Sequence, residues 1–176
     1  MKSVTAILLI ILFLSALTRL SAQKVEIEKR IPLSEFPASA AGFLLDSFPD
    51  CKQMRYYMET NSAGSSYEAK FEHTGTSYSV EFDLNGQWQD TETLVELSEL
   101  DAVVQNNIAS ILSQKFDSSK IKKLQKQRSS SGIRYEAVIK GRKNGKPEFY
   151  EFLFDAEGKY LSEEIILFET LSNDYQ

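Results

Sequence analysis

Tyr67-Glu68-Ala69-Lys70-Phe71, then a turn, then Tyr78-Ser79-Val80-Glu81-Phe82-Asp83-Leu84-Asn85-Gly86-Gln87-Trp88: this stretch decides how the chain folds. Apolar and polar residues alternate on both sides of the turn, the period of a half-buried strand. The pattern returns as Tyr135-Glu136-Ala137-Val138-Ile139 followed by Tyr150-Glu151-Phe152-Leu153-Phe154-Asp155-Ala156-Glu157-Gly158-Lys159-Tyr160. Within the first copy, Asn85-Gly86 predicts a tight hairpin in which both residues take positive φ.

Working outward from the first copy, Met54, Tyr56 and Met58 alternate with Arg55, Tyr57 and Glu59, which predicts a strand over 51–60. Before it, Phe36, Ala40, Phe43, Leu44 and Phe48 recur at helical spacing. Ser34 offers an N-cap and Pro37 a first-turn proline, so a helix is expected over 34–48, ended by Pro49. A fourth strand is expected over 87–96. Residues 23–33 read as a charged extended arm.

The order then restarts. Leu97-Ser98-Glu99-Leu100 echoes Leu33-Ser34-Glu35-Phe36, and Leu100, Val103, Val104, Ile108, Ile111, Leu112 and Phe116 mark a longer amphipathic helix. A weaker strand over 120–128 and three more over 133–140, 148–155 and 159–168 follow. Residues 141–147 read as a hairpin loop longer than its counterpart, and 169–176 as a polar tail. Ser34 and Ser98 lie 64 residues apart, Phe48 and Phe116 lie 68 apart, and Phe82 and Phe154 lie 72 apart. The spacing grows only at a helix turn and at a loop, as a duplicated unit should. The expected fold is therefore α+β, with two tandem repeats over 23–96 and 97–168, each one helix on a four-stranded antiparallel meander. In the first repeat the covered face is Met54, Tyr56, Met58, Tyr67, Ala69, Phe71, Tyr78, Val80 and Phe82. The other face of such a sheet can stay wet.

The first residues have the layout of a secretory signal: Met1-Lys2, an apolar run over 6–14, and smaller residues to Ala22. The apolar run is shorter than the roughly 20 residues of a spanning helix. Cleavage is expected after Ala22, which places the mature chain in the periplasm or outside the cell. It removes Lys2 and Arg19 and no acid, taking the formal charge from −5 to −7. An acidic chain of this kind is a poor nucleic-acid binder. The basic stretch from Lys115 through Lys120, Lys122, Lys123 and Lys126 to Arg128 reads as a solvated strand beside a helix end. Cys51 is the only cysteine, so no disulfide can form within the chain and stability must come from the core.

The helix ending in Phe48-Pro49, followed by Tyr-Glu-Ala-Lys-Phe and by Tyr-Ser-Val-Glu-Phe-Asp-Leu-Asn-Gly-Gln-Trp, resembles the exported PepSY-like proteins of the beta-lactamase-inhibitor-like group. The second copy, with Tyr135-Glu136-Ala137 and Phe154-Asp155-Ala156-Glu157-Gly158-Lys159-Tyr160, resembles the same unit. The resemblance spans about residues 31–168. It implies tandem helix-on-sheet units joined into one curved sheet, and small exported binding or inhibitory proteins without known catalysis. It carries no inhibitor residue over to this chain, and a shared fold does not fix a function.

No catalytic constellation emerges. His73 is the only histidine and falls in a hairpin turn, Cys51 has no partner, and Gly-x-Ser-x-Gly does not occur. One histidine and one cysteine cannot supply a zinc site. Asp83-Leu84-Asn85-Gly86 and Asp155-Ala156-Glu157-Gly158 begin like calcium loops, but Leu94 and Ile166 stand where the twelfth-position glutamate belongs. No metal and no cofactor are expected. Glu68, Glu72, Glu81 and Asp83, with Lys70 and Arg55 among them, read as a solvated charged face.

The two units differ on their outward faces. Where the first shows Glu68, Lys70, Ser79 and Glu81, the second shows Val138, Phe149 and Leu153, an apolar patch suited to a partner. Tyr57, Trp88 and Tyr160 are candidate aromatic anchors. The plainer reading is that the tail, or contact between the units, covers these residues. The expectation is a non-enzymatic binding or inhibitory module for a protein or peptide of the cell envelope. A small carrier of apolar ligands or lipids is the alternative, which needs an enclosed pocket.

Overall fold

The structure, a computed structural model, describes residues 27–61 and 64–166. The expected signal segment, the start of the arm and the tail lie outside the described residues. The elements run β1 (Ile27–Ile31), α1 (Ala38–Ser47), β2 (Lys52–Asn61), β3 (Gly64–His73), β4 (Thr76–Phe82) and β5 (Trp88–Leu94). They continue with α2 (Ala102–Lys115), β6 (Ser118–Ser129), β7 (Gly132–Lys143), β8 (Lys146–Phe154) and β9 (Tyr160–Ile165). All nine strands form one antiparallel sheet whose spatial order is the chain order. The sheet is not closed, since β1 pairs only with β2 and β9 only with β8. The class is α+β.

Both helices lie on one face. The register carries that face across the middle of the sheet: Val80 stands opposite Thr91, and Thr91 opposite Arg128, which shares a side of β6 with Leu124. Two cores result. Ala40 and Leu44 of α1, with Phe36 and Phe48 at its ends, cover Ala69, Phe71, Val80 and Phe82. Val104, Ile108 and Leu112 of α2, with Phe116, cover Leu124, Ala137, Ile139, Phe152 and Phe154. Phe82, Phe152 and Phe154 are completely buried. A large apolar side chain buried in this way contributes roughly 1.5–3 kcal/mol, so each half holds a core of its own without a disulfide.

The first helix starts later than its spacing predicts. Phe36 precedes Pro37, and a residue before proline is pushed out of the helical region. It sits at φ −87° and ψ 139°, and the expected helix over 34–48 divides into a 3₁₀ turn (Leu33–Glu35) and α1. Ser34 makes no cap bond; Pro37 occupies the N-cap position. The second half repeats the device with a 3₁₀ turn over Leu97–Glu99, where the Glu96 N–H donates to Glu99 Oε2 at 2.9 Å.

Three other expectations are corrected. The arm over 23–33 contains a paired edge strand, β1, so the sheet has nine strands and not eight. The strand called weak over 120–128 is the twelve-residue β6. The stretch 141–147 is not a long loop. β7 and β8 continue through Gly141↔Glu148, Arg142↔Pro147 and Lys143↔Lys146, and only Asn144 (φ 52°) and Gly145 (φ 76°) turn the chain. His73↔Thr76 closes the matching hairpin around Thr74 and Gly75. The four extra residues thus add two rungs of ladder. Pro147 is tolerated because β9 pairs with β8 only from Tyr150 onward, leaving Pro147 on an edge.

The Asn85-Gly86 turn also differs from expectation, because only Gly86 takes positive φ. The Asp83 carboxylate accepts from the backbone N–H of Asn85 at 2.9 Å and of Gln87 at 2.8 Å, and the Gly86 N–H donates to the Asp83 carbonyl. That pattern closes a three-residue loop with a left-handed glycine at its end. Asp155 and Gly158 build the same turn. Each turn is pressed under the start of a helix. A Cβ on Gly86 would stand 2.2 Å from Ser39 Oγ, and one on Gly158 would stand 2.8 Å from the Val104 carbonyl oxygen. Ser39 and Asn107 donate from the helices to the carbonyls of Asn85 and Glu157. Phe-Asp-x-x-Gly therefore occurs twice because it fastens a hairpin to a helix. The aspartates serve as turn acceptors.

Candidate functional site

The face away from the helices is built by strand parity. Side chains of residues directly opposite one another share a face, so the register lists which groups meet. Tyr57 stands opposite Glu68, Glu68 opposite Glu81, Glu81 opposite Asp90, and Asp90 opposite Ser129. Three carboxyls thus lie in consecutive register, an arrangement that destabilises a sheet. The next row runs Arg55, Lys70, Ser79, Glu92, Gln127. On the other side of the β5–β6 seam, Gln125 stands opposite Glu136, Glu136 opposite Leu153, and Val138 opposite Glu151.

The sheet curls so that this face encloses a trough. A hollow of about 350 Å³ is lined by residues from Glu28 on β1 to Glu151 on β8. A second hollow of about 520 Å³ adjoins it and shares Glu68, Lys70, Ser79, Glu92 and Lys123. Curvature gives these acids an environment that the sequence expectation of a solvated face did not include. Glu68 is 8 % exposed. Burial pushes its carboxyl up, opposed by the Ser79 hydroxyl, which donates to it, and by the Lys70 ammonium 3.0 Å away. Lys70 also pairs with Glu28. Burial works against the Lys70 charge, but Glu28 and Glu68 outweigh it and hold Lys70 above its usual range.

The centre of the trough is more strongly perturbed. Burial, then the charge of Glu81 beside it, pushes Asp90 up to about 7. Burial, then the charge of Glu136, pushes Glu92 up to about 8, and Lys123 offsets this only in part. The Gln127 amide donates to Asp90 at 3.3 Å and the Gln125 amide to Glu92 at 2.8 Å. Gln125 is 6 % exposed, and its Oε1 has no hydrogen-bond partner. Perturbed carboxyls of this kind gather at functional sites more often than elsewhere. Among the described residues, no three His, Cys, Asp or Glu side chains are disposed to hold a metal ion.

Of the residues singled out by sequence, Tyr57, Val138, Phe149 and Leu153 lie on this open face. Tyr57 lies under Lys70, with the ammonium 5.0 Å from the ring centre. Phe149 stands at the far end beside Lys140. Trp88 and Tyr160 do not join them. Trp88 stacks on Phe43 of the helix-side core and its indole N–H donates to Thr91 at 3.0 Å. Tyr160 packs edge-on to Phe152 under the Lys115 ammonium. A bulge leaves Gln89 unpaired between Trp88 and Asp90, and Leu161 unpaired between Tyr160 and Ser162, and this sets Trp88 and Tyr160 on the helix side. Asp90, Glu92, Gln125 and Glu136 are the residues that sequence reasoning passed over. Their signal was present, since Asp90 and Glu92 share one parity in β5.

No family model matches the chain, and no curated protein matches it. Solved structures do. A DUF2874 family protein from Bacteroides ovatus ATCC 8483 is 18 % identical with a TM-score of 0.59, over 74 % of this chain and 87 % of that one. A BLIP-like protein from Bacteroides fragilis NCTC 9343 is 15 % identical with a TM-score of 0.56, over 83 % and 93 %. The fold is shared with these proteins. A candidate periplasmic protein from Bacteroides eggerthii DSM 20697 is similar again, at 20 % identity and a TM-score of 0.59, over 74 % and 88 %. At such identities the likeness is one of fold. Within the described residues, no helix is long and apolar enough to cross a membrane.

Proposed function

We propose that this chain is an exported, non-catalytic binding module that takes a protein or peptide of the cell envelope into the trough on the open face of its sheet. The observation that carries the reading is the trough itself. It spans strands β1 to β8, and it sets the half-buried carboxyls of Glu151 and Glu136 beside Val138 and Leu153. A sheet packed only for stability would not align Glu68, Glu81 and Asp90 and then bury the first and half-bury the other two. Export rests on the signal-like segment 1–22, and a periplasmic destination is supported by the similarity to a candidate periplasmic protein. The matching order of 3₁₀ turn, helix and four strands, with the same helix-to-turn fastening at Gly86 and Gly158, supports descent from a duplicated unit over 23–96 and 97–168. A carrier of apolar ligands is less favoured, because an apolar ligand in the trough would desolvate carboxylates without pairing them.

The test is capture of a partner from envelope extract by the tagged protein, compared with the Phe149→Ser/Leu153→Ser variant and with Glu81→Gln/Asp90→Asn. Loss of the partner in either folded variant is expected. Retention of every partner by both variants would show that the open face is not the binding surface.

A further inference from the structure

The trough is acidic, and acidity alone does not define a ligand. A second feature does. Gln125 lies almost wholly buried on β6, opposite Glu136, with its amide nitrogen committed to Glu92 Oε2 at 2.8 Å. Its Oε1 is buried without a hydrogen-bond partner, and Gln125 lines the second hollow, beside Glu92 and Lys123. A buried carbonyl oxygen without a donor is destabilising, and its surroundings say which donor fits. An ammonium or guanidinium group offers several N–H donors at once, enough for an amide oxygen and the carboxyls around it. Four cations line the two hollows, Arg55, Lys70, Lys122 and Lys123, and none of them donates to that oxygen. Lys70 is engaged by Glu28 and Glu68 on the β1 side. Lys123 stands opposite Val138 and only partly offsets the field at Glu92.

We infer, on the footing of the binding reading above, that the occupant of the trough is a segment of a partner polypeptide carrying lysine or arginine beside apolar side chains. Its cationic heads meet Asp90, Glu92 and Gln125, and its apolar groups lie on Val138 and Leu153. Charge complementarity argues for the cation, and the adjacent apolar residues argue for a polypeptide over a small amine. The groups that face Asp90 and Glu92 from the neighbouring strands are Glu68 on β3, Glu81 on β4, Lys123 on β6 and Glu136 on β7. A cation among them favours the ionised carboxyls, so docking expels protons and tightens as pH rises from 6 to 8.5.

Fluorescence anisotropy with labelled twelve-residue peptides tests this on the purified protein at 0.15 M salt. One peptide alternates lysine with leucine, one replaces each lysine by glutamine, and spermine serves as a competitor. The lysine peptide should bind at least tenfold more tightly at pH 8.5 than at pH 6. Asp90→Asn/Glu92→Gln should weaken it at least tenfold at pH 8.5 and remove the pH dependence. Asp46→Asn/Glu35→Gln, an equal charge change at exposed positions on the helix side, should leave it unchanged. Equal losses in the two double variants would overturn the inference in favour of the general field of an acidic protein. Equal binding of the glutamine peptide would overturn the cationic occupant while leaving the binding module intact. Spermine competing at the peptide's own affinity would overturn the polypeptide source. No binding of either peptide would overturn the inference, and the envelope capture experiment decides separately whether the binding module stands.

Discussion

Stability should fall as pH rises from about 5 to 8, and Asp90 and Glu92 should be responsible. Their carboxyls sit at about 7 and about 8 in the fold, against ordinary values of 3.8 and 4.5. The unfolded chain therefore loses both protons in mild acid, while the folded chain keeps them toward neutrality. Over that window the folded state binds more protons, so the free energy of unfolding falls as pH rises. The contribution is fully present below the unfolded values and is lost once pH passes the folded ones. One proton held by the fold alone carries ~1.4 kcal/mol per pH unit. Asp90 and Glu92 repel each other and share the charge of Glu136, so they titrate as a coupled pair. Counting one net proton over two pH units gives ~3 kcal/mol, or about 6–12 °C in Tm for a chain of this size. Calorimetric melts at pH 5, 6, 7 and 8 would be compared for the native chain and Asp90→Asn/Glu92→Gln. The native Tm should drop about 6–12 °C further than that of the variant between pH 5 and 7. Parallel curves would refute the buried, mutually repelling acids on which the reasoning depends.

Phe82→Ala and Phe154→Ala should each cost roughly 3–5 kcal/mol in urea unfolding, because both rings are completely buried; a shift near zero in both would refute the assignment of faces. Gly145→Ala introduces only a left-handed side chain in open space, for ~1–2 kcal/mol. Gly158→Ala adds a Cβ 2.8 Å from the Val104 carbonyl and should cost more; a smaller loss would mean that α2 does not press on this turn. Trp88→Phe loses the bond to Thr91, worth ~1 kcal/mol, and should leave partner capture unchanged; loss of the partner in a stable variant would return Trp88 to the binding surface.

Alternation along the strands made most of the sheet legible, since β3, β4, β7 and β8 each bury one side and the period of two survives in their residues. β1 was hidden because its five residues, IEKRI, are mostly charged and exposed, and only pairing with β2 makes them a strand. The turn over 141–147 looked like a loop because Gly, Asn and Pro are turn residues. Gly141 is in fact in a strand, where a side chain would collide with the Phe116 ring, its Cβ 2.4 Å from Cε1. The faces of Glu68 and Glu81 were also legible, but their environment was not. Parity tells which side a residue takes, whereas burial of that side depends on how far the sheet curls, a property of all nine strands together. Trp88 and Tyr160 were misplaced because a bulge inverts parity, and no residue type announces one.

The seam between β5 and β6 separates what folds the chain from what shapes its open face. Each helix and its own strands enclose a complete core, so either half carries its own reason to be folded. The trough has no such independence. Glu81, Asp90 and Glu92 come from before the seam and Gln125, Glu136 and Val138 from after it, and the rungs from Asp90↔Ser129 to Leu94↔Gln125 bring them together. Either half alone would have an edge strand at this place and no basin spanning it. The packing that keeps each half folded lies on the opposite side of the sheet, so a substitution in the trough leaves both cores untouched.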